Sequence, residues 1–516
     1  MKGLIIALNT NYTPETDTLF YGRSNGAYRI ATLLRDRGHR VEVLDFFNFW
    51  TDEQLLEYIN IFQKEEGIID YVGIGYTFSS IDITKLNRIM AMIKENNPNC
   101  RFFAGGYGVF AGTSTFHQND HSDLVTLYLR GFADGAIEDL EKWIETGRWN
   151  LLTKNSLPNT SGVMKTTVDC NEHYKNFDLK RLRNTYVPSD NIGPDEPLIL
   201  ETCRGCIFKC KFCSFELIGK KKSDNYIRLK EDILEEIVDN YKKWGTHKYI
   251  IADDTFNDNP TKIDMMYEIS QEVDFDLEFW AFLRADLLHS RPDELEKMVA
   301  FGLKSVILGI ETLHPPTGMA IGKGFSGDKL KNLLLSVRKR SPDLKITGTF
   351  IVGLPHESID TFRENIKWAF ESGVFDNISV NQLAIPLKGI ANNHPFSEFS
   401  HRWPDYGYRP MSPESIDHWN KQLSLNSLLN HRFDWKLDGH QYLLWENEHM
   451  NMFQAVEAMY EVLSKHYQMN KCDSTLTCFS NSFNGPTVYD KDSYKNKMPA
   501  LRNLIDKYII KKMQYK

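Results

Sequence analysis

The sequence predicts an α/β protein: a doubly wound parallel sheet, then a second, longer βα alternation, then a helical C-terminal region. Three observations predict it. Short, continuously apolar runs alternate with amphipathic stretches over the first ~150 residues, the pattern of a parallel sheet covered on both faces. The alternation resumes at Pro197 and continues through six strands, which suggests a barrel or partial barrel. Beyond about residue 400 it gives way to long helical patterns rich in Trp, Tyr, His and Met. The expected organisation is a first domain over 1–150, a polar connecting segment over 151–195, a barrel over 196–400 and a helical domain over 401–516.

In the first domain the strand-like runs are 3–8, 39–44, 70–76, 101–104 and, more weakly, 124–129. Helix-like stretches at 26–37 and 82–96 lie between them. Ligands of open sheets sit beyond the carboxyl ends of the strands, here 9–12, 77–80 and 105–108. These loops are mostly small or polar. In the second alternation the strands are 197–202, 248–252, 277–283, 305–310, 345–352 and 377–383. Helices are expected at 230–244, 262–272, 293–301, 327–340 and 358–372.

Composition bounds the function. With 516 residues, 41% hydrophobic and 25% charged, the chain can build more than one core and is neither disordered nor fibrous. A formal charge of -8 argues against a protein whose main task is coating nucleic acid. No apolar stretch approaches the ~18 residues of a membrane span. The opening MKGLIIALNTNYTP carries too short an apolar run for a signal peptide and reads as a buried strand, so a cytoplasmic location is expected.

Chemistry concentrates in Leu200-Glu-Thr-Cys-Arg-Gly-Cys-Ile-Phe-Lys-Cys-Lys-Phe-Cys-Ser214, at the end of the first barrel strand. Cys206, Cys210 and Cys213 form a C-x3-C-x2-C spacing in which three thiolates can converge on one cluster. Cys203 would extend it to four ligands. Soft thiolates suit zinc and iron–sulfur clusters equally, and spacing alone does not separate the two.

This segment resembles the radical SAM superfamily, and the third-to-fifth-strand stretch, including Met319-Ala-Ile-Gly-Lys-Gly324, resembles the branch that contains the methylthiotransferases and the elongator catalytic subunit. The resemblance implies a partial (β/α)6 TIM-type barrel and a [4Fe-4S] cluster on Cys206, Cys210 and Cys213, with one iron left open for S-adenosylmethionine (SAM). An electron from the cluster then cleaves the sulfonium and generates a radical. Cys203 is read as a neighbour of the cluster. Further strand ends match the family's pattern: Ile251-Ala-Asp-Asp-Thr-Phe-Asn257, Phe282-Leu-Arg-Ala-Asp286, Gly309-Ile-Glu-Thr312 and Thr349-Phe-Ile-Val-Gly-Leu-Pro-His-Glu357. By that resemblance Phe212, Asp253, Asp254, Arg284, Glu311 and Gly353 would contact SAM. Four of them have a structural alternative: core packing for Phe212, a helix cap for Asp253 and Asp254, an ion pair for Arg284.

The first domain resembles the cobalamin-binding domain that precedes the barrel in one large subgroup. The likeness rests on Gly38-His-Arg-Val-Glu-Val-Leu-Asp45, Val72-Gly-Ile-Gly-Tyr-Thr-Phe-Ser-Ser80, Phe103-Ala-Gly-Gly-Tyr-Gly108 and Arg130-Gly-Phe-Ala-Asp-Gly-Ala-Ile-Glu138. It implies cobalamin contacts at Thr77, Ser79, Gly105 and Gly106. The Asp-x-His-x-x-Gly motif with a cobalt-ligating His is absent, and His39 reads as a turn histidine.

The function expected is reductive SAM cleavage activating a C–H bond, with cobalamin-dependent methyl transfer to carbon as its sequel. The alternatives are a cobalamin-free radical SAM enzyme such as a methylthiotransferase, and a non-catalytic iron–sulfur or zinc protein. An external electron donor of flavodoxin or ferredoxin type and a small-molecule or peptide substrate are the expected partners; membrane and nucleic acid are not. His418, Trp419, Trp435, His440, Tyr442 and Trp445 are expected to pack the C-terminal helices, and Cys472 and Cys478 to hold no metal.

Overall fold

The computed structural model describes residues 1–8, 23–76, 83–106, 122–150, 155–158, 161–174, 177–194, 196–213, 220, 225–385, 397–425, 443–468, 503 and 505–514. Expectations for 9–12, Thr77, Ser79, 107–108, Trp435, His440, Tyr442, Cys472 and Cys478 lie outside the described residues.

The first sheet has strands β1 (Lys2–Leu8), β2 (Arg40–Leu44), β3 (Tyr71–Tyr76), β4 (Arg101–Gly105), β5 (Val125–Arg130), β6 (Asn155–Pro158) and β7 (Met164–Asp169). They lie in the order β2-β1-β3-β4-β5-β7-β6. All neighbours are parallel except β6 and β7. The chain reverses direction across the sheet between β1 and β3, the switch point at which such sheets open a crevice. β1 shows why the run is apolar throughout. Ile5 and Ala7 enter one core with Tyr28, Val43 and Phe103, while Leu4, Ile6 and Leu8 enter a second with Leu44, Val72 and Met90.

The segment 151–195, expected only to connect, adds β6 and β7 to this sheet. The correction has a physical reason. β7 reads MKTTVD, with Val168 its one aliphatic β-branched residue, and its inward Lys165 is fully buried. Lys165 Nζ is satisfied by the carbonyls of Ser122 (2.7 Å) and Val125 (2.5 Å). A strand carried by backbone pairing and a buried ammonium has no hydrophobic signature.

The second sheet contains β8 (Leu198–Leu200), β9 (Lys248–Ile251), β10 (Glu278–Leu283), β11 (Leu303–Glu311), β12 (Lys345–Val352) and β13 (Asn377–Gln382), in strictly sequential order. Every neighbouring pair is parallel. Among the described residues β8 and β13 do not pair, so the sheet is an open arc. Helices Lys230–Trp244, Pro260–Glu272, Asp293–Ala300, Gly327–Arg340 and Ile359–Glu371 link the strands, within two residues of the expected bounds. Their starts are chemically marked. Asn259 accepts from Thr261 N (3.0 Å) ahead of Pro260, and Ser358 accepts from Thr361 N (3.1 Å).

The C-terminal region is helical over Pro413–Leu425, Met452–Gln468 and 505–514, with a two-residue ribbon between β14 (Arg409–Pro410) and β15 (Trp445–Glu446). Fully buried Trp445 donates from Nε1 to Leu383 O (2.9 Å), tying the ribbon to the end of β13. The last helix returns to the first sheet. Tyr508 donates to Val43 O (3.1 Å) and accepts from Asp45 N (3.2 Å), and Lys512 pairs with buried Glu42. Among the described residues no helix is long and apolar enough to cross a membrane.

The Lys512–Glu42 pair predicts an asymmetry in stability. Breaking a buried pair leaves an uncompensated charge and costs roughly 3–5 kcal/mol, a loss that Arg40 beside Glu42 (2.9 Å) reduces. We expect Lys512→Met to lower the urea midpoint strongly. Its exposed neighbour Lys511→Met should stay within ~0.5 kcal/mol of the parent.

Candidate active site at the ends of the barrel strands

The cysteine loop leaves β8 and is fixed from its first residue. Thr202 N (2.9 Å) and Cys203 N (3.2 Å) both donate to Asp253 Oδ1 at the end of β9. Lys262, fully buried on the following helix, donates to Asp253 Oδ2 (3.0 Å), Cys203 Sγ (3.2 Å) and Thr255 O (2.8 Å), and pairs with Asp258 (2.7 Å). Burial opposes the ammonium charge, but Asp253, Cys203 and Asp258 together hold its pKa well above the ordinary value. Cys203 is therefore an inward thiol engaged by Lys262. Burial and the Asp253 carboxylate push its pKa up.

Cys206 donates to Thr255 Oγ1 (3.5 Å), and burial raises its pKa. Cys210 is half-buried and accepts from Arg284 Nη1 (3.1 Å). Cys213 N donates to Cys210 O (3.1 Å), and Lys220 N donates to Cys206 O (3.0 Å), which closes the loop. Gly205 sits at φ +110°, where a side chain would be strained. Among the described residues no three His, Cys, Asp or Glu side chains stand close enough together to hold a metal ion. The thiols of Cys203, Cys206 and Cys210 turn instead to Lys262, Thr255 and Arg284. The donor set still fits an iron–sulfur cluster: three soft thiols on one loop, with a guanidinium beside the middle one.

The expected SAM residues divide. Asp253 is buried and both its oxygens are taken by Thr202, Cys203 and Lys262, so it supports the loop and does not face the rim. Asp254 is partly exposed, and among the described residues its carboxylate makes no hydrogen bond. Burial and neighbouring Asp253 raise its pKa to about 6. Arg284 is an ion-pair residue, held by Asp286 at 2.9 and 2.8 Å and lying 3.8 Å over the Phe208 ring, with its remaining nitrogen on Cys210. Phe212 packs against the main core.

Glu311 takes φ +64° at the point where β11 slips one residue against β12. A non-glycine residue there is strained, and such strain clusters at functional sites. Its carboxylate meets Lys323 (3.2 Å) and Thr349 Oγ1 (3.5 Å).

Gly353, expected to admit SAM, is used by the protein itself. At φ +97° a Cβ would fall within the Trp445 ring, and its carbonyl accepts from Tyr408 OH (2.7 Å). Gly106 is similar. Its Cβ, at φ +98°, would overlap the Tyr76 carbonyl, so the close approach of β3 requires this glycine. Gly105 is not so constrained, its nearest neighbour being Leu129 O at 3.4 Å. His39 is buried between Tyr71 OH (3.0 Å) and Glu141 (3.0 Å), at the start of β2. In the C-terminal region Trp419 stacks on Phe453 at 5.5 Å, and His418 beside it is exposed.

Several site residues escaped the sequence. Lys262 is one, Lys323 another. Asn257 exchanges two hydrogen bonds with the Arg284 backbone (3.0 and 2.9 Å), clamping the ends of β9 and β10 together. Glu357 accepts from Thr312 (2.8 Å) and Asn365 (3.0 Å) on one oxygen, while the other is buried without a partner. Burial raises its pKa to about 7.

The Glu357 shift has a definite sign. The folded chain keeps this proton up to about pH 7, whereas the unfolded chain releases it near the ordinary value of 4.5. Stability therefore falls as pH rises between those limits and is flat above. Glu357→Gln should remove that dependence, leaving the variant about 3 kcal/mol more stable relative to the parent at pH 8 than at pH 4. Urea titrations at the two pH values read it directly.

Comparison with known proteins completes the site. The profile of the Radical SAM superfamily matches residues 200–369. A tRNA-2-methylthio-N(6)-dimethylallyladenosine synthase from Buchnera aphidicola is 24% identical over 37% of this chain and 46% of its own length. Ribosomal protein uS12 methylthiotransferase RimO from Rhodopseudomonas palustris is 26% identical over 39% and 48%. The chain thus spans about half the length of the curated relatives it matches. Among solved structures, the radical SAM methyltransferase TsrM from Kitasatospora setae, bound to tryptophan and a SAM analogue, covers 98% of this chain and 99% of its own. Its TM-score is 0.62 at 15% identity. The cobalamin-dependent SAM radical enzyme OxsB, with aqua-cobalamin and SAM bound, covers 98% and 79%, with a TM-score of 0.56 at 14% identity. The shared fold therefore extends through the first sheet and the C-terminal region. Residues 200–369 thus match the Radical SAM superfamily domain, and this stretch contains the cysteine loop and the ends of β8 to β12.

Proposed function

We propose that Cys206, Cys210 and Cys213 hold a [4Fe-4S] cluster, that SAM binds on its open side, and that the first domain holds a corrinoid for methyl transfer to a carbon of a small-molecule substrate. The carrying observation is the three-thiol loop at the end of β8, inside the matched segment, in a chain whose fold follows TsrM over nearly its whole length. When bound, the cluster supplies the electron that cleaves the SAM sulfonium.

The chain's own residues set the conditions for this. Arg284 donates to Cys210 Sγ from a guanidinium held by Asp286, which sets a fixed positive group beside the middle thiol of the loop. Asp254 offers the SAM ammonium a carboxylate that makes no hydrogen bond among the described residues, and Glu311, beside Lys323, offers a second acidic group. Buried Lys262 offsets the negative charge of Asp253 and Asp258 beneath the loop. The electron would come from an external flavodoxin- or ferredoxin-like donor.

A methylthiotransferase reading draws on the curated relatives, but their likeness covers little more than a third of this chain. The unmatched first sheet and C-terminal region are the parts whose fold follows TsrM and OxsB. That favours the corrinoid reading.

Anaerobic reconstitution tests both halves. Iron and sulfide should be retained by the parent and by Cys203→Ala, and lost from Cys206→Ala, Cys210→Ala and Cys213→Ala. Loss from Cys203→Ala alone would overturn the ligand assignment. Hydroxocobalamin should stay with the protein through gel filtration in equimolar amount. If it does not, the first domain is a scaffold and the enzyme is cobalamin-free.

A further inference from the structure

A buried ion quartet joins the two sheets at the cysteine loop. Asp134, in the turn after β5, pairs with Arg204 (2.6 Å) and Arg29 (3.5 Å). Glu201, at the end of β8, pairs with the same two arginines, at 2.9 Å to Arg204 and 3.1 Å to Arg29. All four side chains are under 10% exposed. The guanidinium of Arg204 also lies 4.3 Å from the centre of the Phe132 ring and 5.0 Å from that of Phe177. Arg29 belongs to the helix that follows β1, and Phe132 to the same turn as Asp134.

The arrangement is closed and neutral: two cations, two anions, each cation touching both anions. Apolar side chains of similar volume would stabilise a domain junction as well as buried ions do, because desolvation offsets most of the Coulomb gain. What ions add is a single permitted geometry, since displacing any member strands a buried charge. The residue so fixed is Arg204, two positions before Cys206. Its backbone N–H is fixed as well, donating to Tyr226 O (2.9 Å).

We propose that Arg204 is a positioning residue that locks the cysteine loop to the first domain, making the geometry of the three thiols depend on Asp134 of the other sheet. The inference rests on the cluster assignment above only for its second readout. Among the described residues neither Asp134 nor Arg204 makes a hydrogen bond or ion pair with the cluster cysteines' side chains or the proposed SAM carboxylates.

The test compares the parent with Asp134→Asn, Asp134→Glu and Arg204→Lys. In apoprotein, alkylation of Cys206, Cys210 and Cys213, followed by mass spectrometry, should be at least tenfold faster in Asp134→Asn, while buried Cys100 on the far side of the first sheet is unchanged. In reconstituted protein the electron paramagnetic resonance signal of the reduced cluster should shift or broaden in Asp134→Asn and Arg204→Lys, with iron lost to a chelator at least tenfold faster. Asp134→Glu, which keeps the charge, should recover most of both effects. A folded Asp134→Asn with parental alkylation rates and an unchanged spectrum would overturn the proposal. Should Asp134→Asn not fold, Glu201→Gln loosens Arg204 from its other anchor and is read in the same two ways. If the parent holds no cluster, the cluster assignment fails, while the apoprotein alkylation still decides the lock.

Discussion

Three buried cations grip one loop, and the rest of the site follows from that constraint. Arg204 ties the loop to the first sheet, Lys262 supports it from below, and Arg284 reaches Cys210 from the end of β10. A buried cation must be matched by acceptors in fixed directions, or it costs several kcal/mol. Each of these three is matched by carboxylates from a different element: Asp134 and Glu201, Asp253 and Asp258, Asp286. A shift of the loop would therefore unmatch Arg204 and break the contacts of Lys262 with Cys203 and of Arg284 with Cys210. Its backbone is satisfied inward, which leaves the side of Cys210 and Cys213 partly exposed to a ligand.

The opposite rim is shaped by backbone, not by charge. The slip of β11 against β12 throws Glu311 into a left-handed conformation, and Lys323 and Thr349 gather around its carboxylate. One strand further, Gly353 lets the Trp445 ring settle against the backbone, and Tyr408 caps its carbonyl. The C-terminal ribbon thus closes the β12–β13 side of the arc, where the sheet's own strands end.

How much of this was legible depends on whether burial was apolar. The barrel strands are runs such as Ser305–Val306–Ile307–Leu308, buried on both faces, and continuous hydrophobicity announces them. The cysteine spacing announces the loop just as directly. Lys262 could not be found this way, because a single lysine in an amphipathic helix looks like solvated surface until its partners fold around it. β7 was missed for the same reason, its buried face carrying Lys165. Asp253 and Gly353 were seen but given to the ligand, since sequence marks an acidic strand end or a strand-end glycine without saying which neighbour arrives. Here the neighbours are Lys262 and Trp445.

The same logic recurs at the other end of β8. Arg23, at the start of the first helix, pairs with Glu196 just before β8 and lies 4.6 Å over the ring of Tyr508 from the last helix. Asp45, fully buried beside it, accepts from Ser24 N (3.3 Å) and Phe46 N (3.0 Å), and burial raises its pKa to about 6 despite Arg23. First sheet, barrel entrance and chain end thus meet at one guanidinium, as first sheet and cysteine loop meet at Arg204. Two ionic nodes on the same pair of elements, the first helix and the ends of β8, suppress rotation about either one alone. The group transfer proposed above, between ligands on two sheets, would need that rigidity, because a displacement of one ångström at the reacting atoms costs on the order of a hundredfold in rate.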